Sequence, residues 1–301
     1  MMKVCLLVIL LLGNITISQS QESWVVYSRN YYNPYLQEQL SAIASKLTST
    51  DQTFEFVPSA DMEQGRAFAE LQKGNIDIFI GAPTRLREAQ ARLIPVPLDR
   101  GLLGFRICLI QKGDKRFQNI NSIADFKLKP LKIGVGSHWP DRQIYEENGL
   151  KIVASPVRES LFTMLHNKRF DCFSRSVNEI SNEFTQYKDL NIEIDQDNVL
   201  IYPLGDFIFV NQHNRVLVER LEQGLQETIE SGDFLSIFNK YYADELRKFT
   251  VFERKILFLR NNNLSNAAAQ GINKYGIASF LHEAIKSHPT QASSLSKVSN
   301  E

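Results

Sequence analysis

Three arginines follow a short apolar segment, and their side chains could bind an anion. Arg85, Arg87 and Arg92 come soon after the apolar segment IDIFI, residues 76–80. A guanidinium is a planar fork that gives two parallel charge-assisted hydrogen bonds to a carboxylate. The predicted strand ends at Gly81, and ligands of α/β proteins lie beyond the carboxyl ends of the strands. This turn is therefore a candidate carboxylate-binding site.

The same three arginines also fit a solvated turn. In that interpretation Arg85 and Arg92 face water, and Arg87 pairs with Glu88 or Asp99. The spacing alone leaves both interpretations open.

Residues suited to catalysis or metal binding form no recognisable motif. Glu179 and His138 could transfer protons, but they come from different segments, and no third residue that would orient them can be identified. The five histidines lack metal-ligand spacing, and no serine stands in a G-x-S-x-G motif. We therefore expect no enzyme activity, no catalytic residue, no metal and no cofactor.

The charge balance argues against a polyanionic partner. The chain has 34 basic and 34 acidic residues and a pI near 7.0, whereas nucleic-acid-binding domains typically carry a basic surface and a high pI. We expect no nucleic-acid partner.

The N-terminus has the pattern of a secretory signal. Lys3 precedes an apolar run from Val4 to Leu12, and small residues surround position 20. The run is shorter than the roughly 20 residues that span a bilayer. We predict a signal peptide over residues 1–20, cut after Ser20, and a periplasmic mature protein; the alternative is an uncleaved anchor. Cys5 lies at the start of the apolar run, where a lipid-attachment cysteine would not stand.

Two cysteines remain in the mature chain, Cys108 and Cys172, each inside an apolar stretch. Export makes a disulfide possible. Cysteines at such positions are more often small buried apolar residues, and this is the interpretation that the sequence favours.

Strands and helices alternate over the first part of the chain. The segments 23–28, 53–58 and 76–80 have strand patterns, and helical periodicity occupies 33–47 and 62–74. This order predicts a mainly parallel sheet with helices on its faces.

A second α/β series follows a long apolar stretch, residues 100–113. Three strands alternate with three helices, the first of which Pro140 opens, and the second long stretch, 198–212, is broken near Pro203 and Gly205. We expect the chain to cross between two lobes at 102–111 and to return at 200–210, with the last helices packed on the first lobe.

The expected division gives one discontinuous lobe, one continuous lobe and an extension. Lobe 1 comprises residues 21–104 with 207–247, and lobe 2 comprises 105–206 with the crossings. From 248 to 301 the pattern weakens. One apolar cluster near 249–260 could pack as a latch, and the chain from about 263 is expected to be a partly disordered tail.

Several segments together resemble the family-3 extracellular solute-binding proteins, the periplasmic receptors of ABC-type amino-acid importers. The resemblance lies in a helix ending at Gly74, the strand with Asp77, the run Thr84-Arg85-Leu86-Arg87-Glu88, and KRFDCFS at 168–174. It extends in order and spacing from Ser23 to about Leu246. The family implies a two-lobed periplasmic binding fold of type II, in which two Rossmann-like lobes are joined by two hinge strands.

The resemblance implies ligand contacts in lobe 1. Arg87 matches the arginine that binds the ligand carboxylate, with Thr84 giving a hydroxyl, and the backbone of Gly81 and Ala82 lies along the ligand. One of the two aromatics Tyr31 and Tyr32 is expected to stack on the ligand.

In lobe 2 the resemblance implies a loop that opens a helix, here Ser137, His138 and Trp139. The indole and the imidazole depart from the Gly/Ser/Thr-rich pattern. The family's ammonium-binding Asp is replaced by Ser176, so the expected charge is missing. Glu179 could replace it, and Arg175 would favour a second anionic group.

These expectations combine into a function. The chain is expected to capture a small polar ligand, a carboxylate or amino acid, by closure of two lobes and to present it, as a monomer, to an ABC permease in the inner membrane. The alternative is a transporter-independent sensory module with a membrane signalling partner. A lyase or dehydratase on the same scaffold is the less favoured third interpretation.

Overall fold

The structure, a computed structural model, describes residues 21–28, 34–49 and 52–277. The predicted signal peptide, Tyr31, Tyr32 and residues 278–301 lie outside the described residues. The strands are β1 (Gln21–Tyr27), β2 (Gln52–Pro58), β3 (Ile78–Gly81), β4 (Ala91–Leu93), β5 (Phe105–Gln111), β6 (Lys132–Gly136), β7 (Lys151–Ser155), β8 (Cys172–Ser176), β9 (Ile192–Ile194), β10 (Asn198–Ile201), β11 (Phe207–Asn211) and β12 (Lys255–Phe258). The helices are α1 (Pro34–Leu47), α2 (Gln64–Lys73), α3 (Arg85–Gln90), α4 (Ile123–Leu128), α5 (Pro140–Glu147), α6 (Arg158–His166), α7 (Val177–Gln186), α8 (Arg215–Glu230), α9 (Asp233–Lys248) and α10 (Asn266–Tyr275).

The strands form two sheets, which with their helices are called lobe 1 and lobe 2. The lobe 1 sheet has the order β2-β1-β3-β11-β4, with β1 parallel to β2 and β3 and with β11 antiparallel to its neighbours. The lobe 2 sheet has the order β12-β10-β5-β8-β6-β7, and β9 pairs with β5. The expected two-lobed α/β architecture is confirmed.

Both faces of the lobe 1 sheet are covered, which explains the continuous apolar run of β3. Ile78 and Ile80 pack on the side of α1 and α8, whereas Phe79 packs on the side of α2 and α10. Successive side chains of a strand point to opposite faces, so a strand that is buried on both faces needs apolar residues at every position.

Two crossings connect the lobes and lie side by side. The first runs over 94–104 from β4 to β5, and the second over 202–206 from β10 to β11. The N–H of Leu98 donates to the carbonyl oxygen of Asp206 at 2.7 Å. Gly104 of the first crossing allows the close approach of Tyr202 in the second crossing, because a Cβ added at position 104 would lie 2.0 Å from the carbonyl oxygen of Tyr202.

The C-terminal extension makes a third connection between the lobes. Strand β12 pairs in parallel with β10 in lobe 2, and α10 packs on the lobe 1 sheet through Ala268 and Ile272. The expectation of a mobile tail from about residue 263 is therefore wrong up to residue 277. Ser265 caps α10 by accepting a hydrogen bond from the N–H of Ala268. The sequence of this segment is mostly polar, so the short apolar face of α10 was not recognised.

Cys108 in β5 and Cys172 in β8 form a disulfide, so the favoured interpretation of two unpaired thiols is wrong. In the antiparallel pair β5–β8, Cys108 lies opposite Ser174 and Cys172 lies opposite Ile110. The two cysteines are therefore diagonal neighbours on one face of the sheet. Their separation of 64 residues conceals this register from sequence analysis.

Among the described residues, no helix is both long and apolar enough to span a membrane.

Candidate functional site

Polar residues of both lobes surround a cavity of about 460 Å³ between the lobes, here called the cleft. Lobe 1 contributes the N-terminal region of α2 and the residue after β3, and lobe 2 contributes the loop before α5 and side chains of β5, β8 and α7. The lining residues are Asp61, Met62, Glu63, Gln64, Ala82, Leu103, Arg106, Trp139, Pro140, Asp141, Arg158, Glu159, Arg175, Glu179 and Asp206.

A second cavity of about 510 Å³, here called the side cavity, adjoins the cleft. Trp139 and Pro140 line both cavities. The predicted site residues Thr84, Arg87, Ser137 and His138 line the side cavity. The structure thus brings the expected lobe 1 and lobe 2 segments to the same interlobe region.

Lobe 2 presents a buried network of charges at the cleft. Arg106 contacts Asp141 through Nη2 at 2.6 Å and Glu179 through Nη1 at 3.2 Å. Arg175 contacts Glu179 through Nη2 at 3.0 Å and Glu183 through Nε at 2.6 Å. Both arginines are buried. Three carboxylates therefore surround two guanidinium groups. Because Arg175 is already paired, it is not available to bind a second anionic group of a ligand.

The network fixes the ionised state of Glu179. Burial opposes ionisation, but the guanidinium groups of Arg175 and Arg106 together hold the pKa of Glu179 below its usual value. The carboxylate also accepts a hydrogen bond from the N–H of Ser176 at 3.3 Å. Such a group is a poor proton donor at neutral pH, so the arrangement favours binding over acid catalysis.

Trp139 is positioned by contacts with Phe173 and Arg175. Its ring stacks on Phe173 with a centroid distance of 6.3 Å, and the guanidinium of Arg175 lies 4.8 Å from the centroid of the indole. Gly136 allows this position, because an added Cβ would lie 2.4 Å from the indole. The exposed His138 and the half-buried Ser137 precede it.

Arg87 is a half-buried cation at the edge of the side cavity. Its Nη1 donates to the carbonyl oxygen of Ala82 at 2.6 Å, and its Nη2 donates to Oε1 of Gln64 at 3.2 Å. The guanidinium also lies 5.1 Å from the ring centroid of Phe79. Within the described residues no carboxylate is within ion-pair distance of Arg87. Burial lowers the pKa of Arg87 to about 10, although Asp206 opposes the shift.

The other predicted lobe 1 residues have local structural roles. The hydroxyl of Thr84 caps α3 by accepting a hydrogen bond from the N–H of Arg87 at 3.1 Å. Gly81 ends β3, and an added Cβ would lie 2.7 Å from the ring of Phe79. Gly81 lines neither cavity, whereas Ala82 lines the cleft.

Ser176 is buried and lines neither cavity. Its hydroxyl donates to the carbonyl oxygen of Leu102 at 3.0 Å, and it stands at the N-terminus of α7. Its side chain therefore connects lobe 2 to the first crossing.

Two aspartates at the crossings were not predicted. The carboxylate of Asp99 accepts backbone hydrogen bonds from Gly101, Leu103 and Asp206 at 2.6 to 3.1 Å. Asp206 ends the second crossing and lines the cleft. Burial, followed by the charges of Asp99 and Glu179, holds its pKa well above the usual range. The only signal in the sequence is its place after Gly205, in the break of the long apolar stretch.

No protein-family profile and no curated protein sequence matches the chain. Solved structures match its fold. An ancestral arginine-binding protein bound to arginine is 20% identical with a TM-score of 0.55, over 73% of this chain and 98% of its own. The substrate-binding protein of an amino-acid ABC transporter is 16% identical with a TM-score of 0.51, over 73% and 100%. A histidine kinase sensor domain with similarity to periplasmic binding proteins is 16% identical with a TM-score of 0.54, over 74% and 96%.

These similarities show the type II periplasmic-binding-protein fold, which confirms the fold that the resemblance implied. The matches cover nearly the whole of each neighbour but only about three quarters of this chain.

Proposed function

We propose that the mature protein is a periplasmic solute-binding protein. It captures a small polar ligand with a carboxylate group, an amino acid or a related molecule, between its two lobes. The lobes close over the ligand, and an ABC-type permease in the inner membrane recognises the closed form. Ligand contacts made only in the closed form shift the population toward it.

The observation that carries this proposal is the Arg87 guanidinium, a half-buried cation that has no carboxylate partner within the described residues. A buried charge without a counter-ion is unfavourable. A guanidinium has five N–H donors, and the two hydrogen bonds to Ala82 and Gln64 leave donors for a ligand. A carboxylate bound here would supply the missing negative charge.

The position of Arg87 supports the same interpretation. It lines the side cavity together with His138 and Trp139 of the opposite lobe. A carboxylate held by Arg87 would therefore lie between the lobes, where closure can trap it. The half-buried indole offers an apolar surface for the remainder of the ligand.

A substitution at Arg87 tests the proposal. In a thermal-shift screen of the twenty L-amino acids and small carboxylates, a ligand that binds the native protein raises the melting temperature. For each ligand found, Arg87→Ala is expected to lower the affinity by about 30-fold, which corresponds to about 2 kcal/mol for hydrogen bonds to a charged group. The exposed Arg85 gives the matched control, Arg85→Ala, which should retain the affinity. If Arg87→Ala binds the ligand with unchanged affinity, another residue binds the ligand carboxylate.

Scattering tests closure separately. The radius of gyration of the mature protein should decrease at saturating ligand. An unchanged radius would contradict lobe closure even if the ligand binds.

A sensory module is the second candidate function. The C-terminal extension connects both lobes and could report their relative position to a membrane signalling partner. Uptake of labelled ligand by cells with and without this chain distinguishes the two functions. Loss of uptake favours import, whereas unchanged uptake with a lost transcriptional response to the ligand favours sensing.

A further inference from the structure

Asp206 carries a buried carboxylate oxygen, Oδ2, that has no hydrogen-bond partner among the described residues. The residue is only 6% exposed, and its side chain lines the cleft. Buried polar groups in folded proteins are nearly always hydrogen-bonded, so a carboxylate oxygen at a cavity wall without a partner among the described residues is suited to accept a hydrogen bond from a ligand.

The neighbouring Asp99 shows that the crossings can satisfy a buried carboxylate. Its two oxygens accept three backbone N–H groups, one of which belongs to Asp206 itself. The main chain of Asp206 therefore holds the two crossings together, with its carbonyl oxygen accepting from Leu98. The carboxylate of Asp206 takes no part in these bonds.

The nearby arginines do not neutralise Asp206. Both Nη atoms of Arg106 are bound to Asp141 and Glu179, and its Nε atom is buried without a partner. Arg87 donates to Ala82 and Gln64. Each guanidinium acts on Asp206 only through its electrostatic field.

The lining of the cleft has an excess of negative charge. It includes six carboxylate side chains and three guanidinium side chains. A cavity lined mainly by one sign of charge concentrates ligands of the opposite sign. The unpartnered carboxylate thus lies where a cation would be attracted.

We propose that Asp206 is a specificity-determining residue that holds a cationic nitrogen group of the ligand, an ammonium or a guanidinium. The proposal rests on the proposed solute-binding function and narrows its ligand class. The selected ligand bears at least one cationic nitrogen beside its carboxylate. Arg87 would receive the negative group, and Asp206 would receive the positive group from the second crossing.

Calorimetry on the mature protein tests the assignment. The probes are the twenty L-amino acids, their 2-hydroxy acid analogues, in which a hydroxyl replaces the amine, and the carboxylate-free cations agmatine and cadaverine. The proteins are the wild type, Asp206→Asn and the matched control Asp189→Asn. Asp189 is exposed and lines neither the cleft nor the side cavity.

The expected result has three parts. The wild type binds amine-bearing probes, and Asp206→Asn weakens that binding about 10- to 100-fold, the range for a hydrogen bond to a charged group. Probes without a cationic nitrogen keep their affinity, and Asp189→Asn behaves as the wild type. A difference confined to the amino and hydroxy acid pairs assigns Asp206 to the α-ammonium, whereas weakened binding of agmatine or cadaverine assigns it to a side-chain cation.

Two results would overturn the proposal while leaving solute binding intact. One is wild-type affinity of Asp206→Asn for amine-bearing probes. The other is equal affinity of the wild type for probes with and without a cationic nitrogen, and this comparison needs no variant to fold. A wild type that binds none of the probes removes the proposed function and this inference together.

Discussion

The substitution Asp206→Asn is expected to stabilise the unliganded protein at neutral pH. Burial and the charge of Asp99 raise the pKa of Asp206 well above its usual value of 3.8, so folding places an acid where ionisation is unfavourable. Asparagine fits the same space and cannot ionise. Each unit by which folding raises the pKa of a carboxyl costs about 1.4 kcal/mol of folding free energy at a pH above that pKa. Removing the ionisable group should raise the melting temperature by several degrees, because each kcal/mol shifts it by about 2–4 °C in domains of 150–250 residues.

The stability difference between Asp206→Asn and the wild type should depend on pH. The pKa of Asp206 is higher in the folded than in the unfolded protein, so folding favours proton uptake by this group, and the contribution of Asp206 to the unfolding free energy becomes more favourable from pH 8 toward 4. Glu179 also raises this pKa, while Arg106 and Arg87 lower it, and all three remain in the variant. Burial raises the pKa of Asp99 to about 6, and that contribution is also common to both proteins. The advantage of the variant should therefore be largest at pH 7 to 8 and vanish near pH 4.

Melting curves of ligand-free wild type and Asp206→Asn, recorded by circular dichroism between pH 4 and 8, measure this difference. Burial and the nearby carboxylates raise the pKa of Tyr242. Its hydroxyl therefore stays neutral between pH 4 and 8 and does not contribute to the pH dependence. The exposed Asp189 provides the control Asp189→Asn, for which no advantage is expected. If Asp206→Asn is less stable than the wild type at pH 7, or if its advantage does not depend on pH, the carboxylate has a stabilising partner and the reasoning fails.

Three further predictions concern the connections within and between the lobes. Asn263 accepts a hydrogen bond from α3 of lobe 1 and donates one to α5 of lobe 2, so Asn263→Ala should speed amide exchange in both helices, while Asn262→Ala should leave that of α3 unchanged. Reduction of the disulfide between Cys108 and Cys172, 64 residues apart, should lower the unfolding free energy by about 4 kcal/mol, as chain entropy predicts, and denaturant titration with and without reductant measures it. Gly104→Ala should lower the melting temperature, since its Cβ would lie 2.0 Å from a carbonyl oxygen of the other crossing; wild-type stability would show that the crossings can separate.

Periodicity was sufficient to predict the longer helices and strands of both lobes, whereas the short elements α3, β4, α4 and β9 were not predicted. The segment before Gly74 forms α2, and the N–H of Gly74, at a positive φ of 77°, donates to the C-terminal carbonyl oxygens of this helix. Pro140 begins α5. Each of these signals lies within one element. The disulfide and the third connection depend instead on strand register and on packing between distant segments, which no local pattern encodes.

The candidate site divides in the same way. Arg87 and Trp139 were predicted from local motifs, and both line the interlobe cavities. The prediction that Arg175 favours an anion considered one side chain alone, whereas Glu179 and Glu183 surround it in the fold. Asp206 was not predicted, because what distinguishes it is a buried carboxylate oxygen without a hydrogen-bond partner among the described residues. That property depends on the three-dimensional surroundings and not on the neighbouring sequence.

The distribution of charge leads to a selection rule for the proposed ligand. At the cleft, the buried guanidinium groups of lobe 2 are already paired with carboxylates of the same lobe, so they offer a ligand no ion-pair partner. Arg87 on lobe 1 and Asp206 at the second crossing have no counter-ion within ion-pair distance among the described residues. Closure around a ligand with only one charge would leave one of these groups desolvated and unpaired, which costs more than the bond that the ligand makes. A simple carboxylate should therefore bind the open form without making the protein more compact. A ligand that bears both charges should bind and also make the protein more compact.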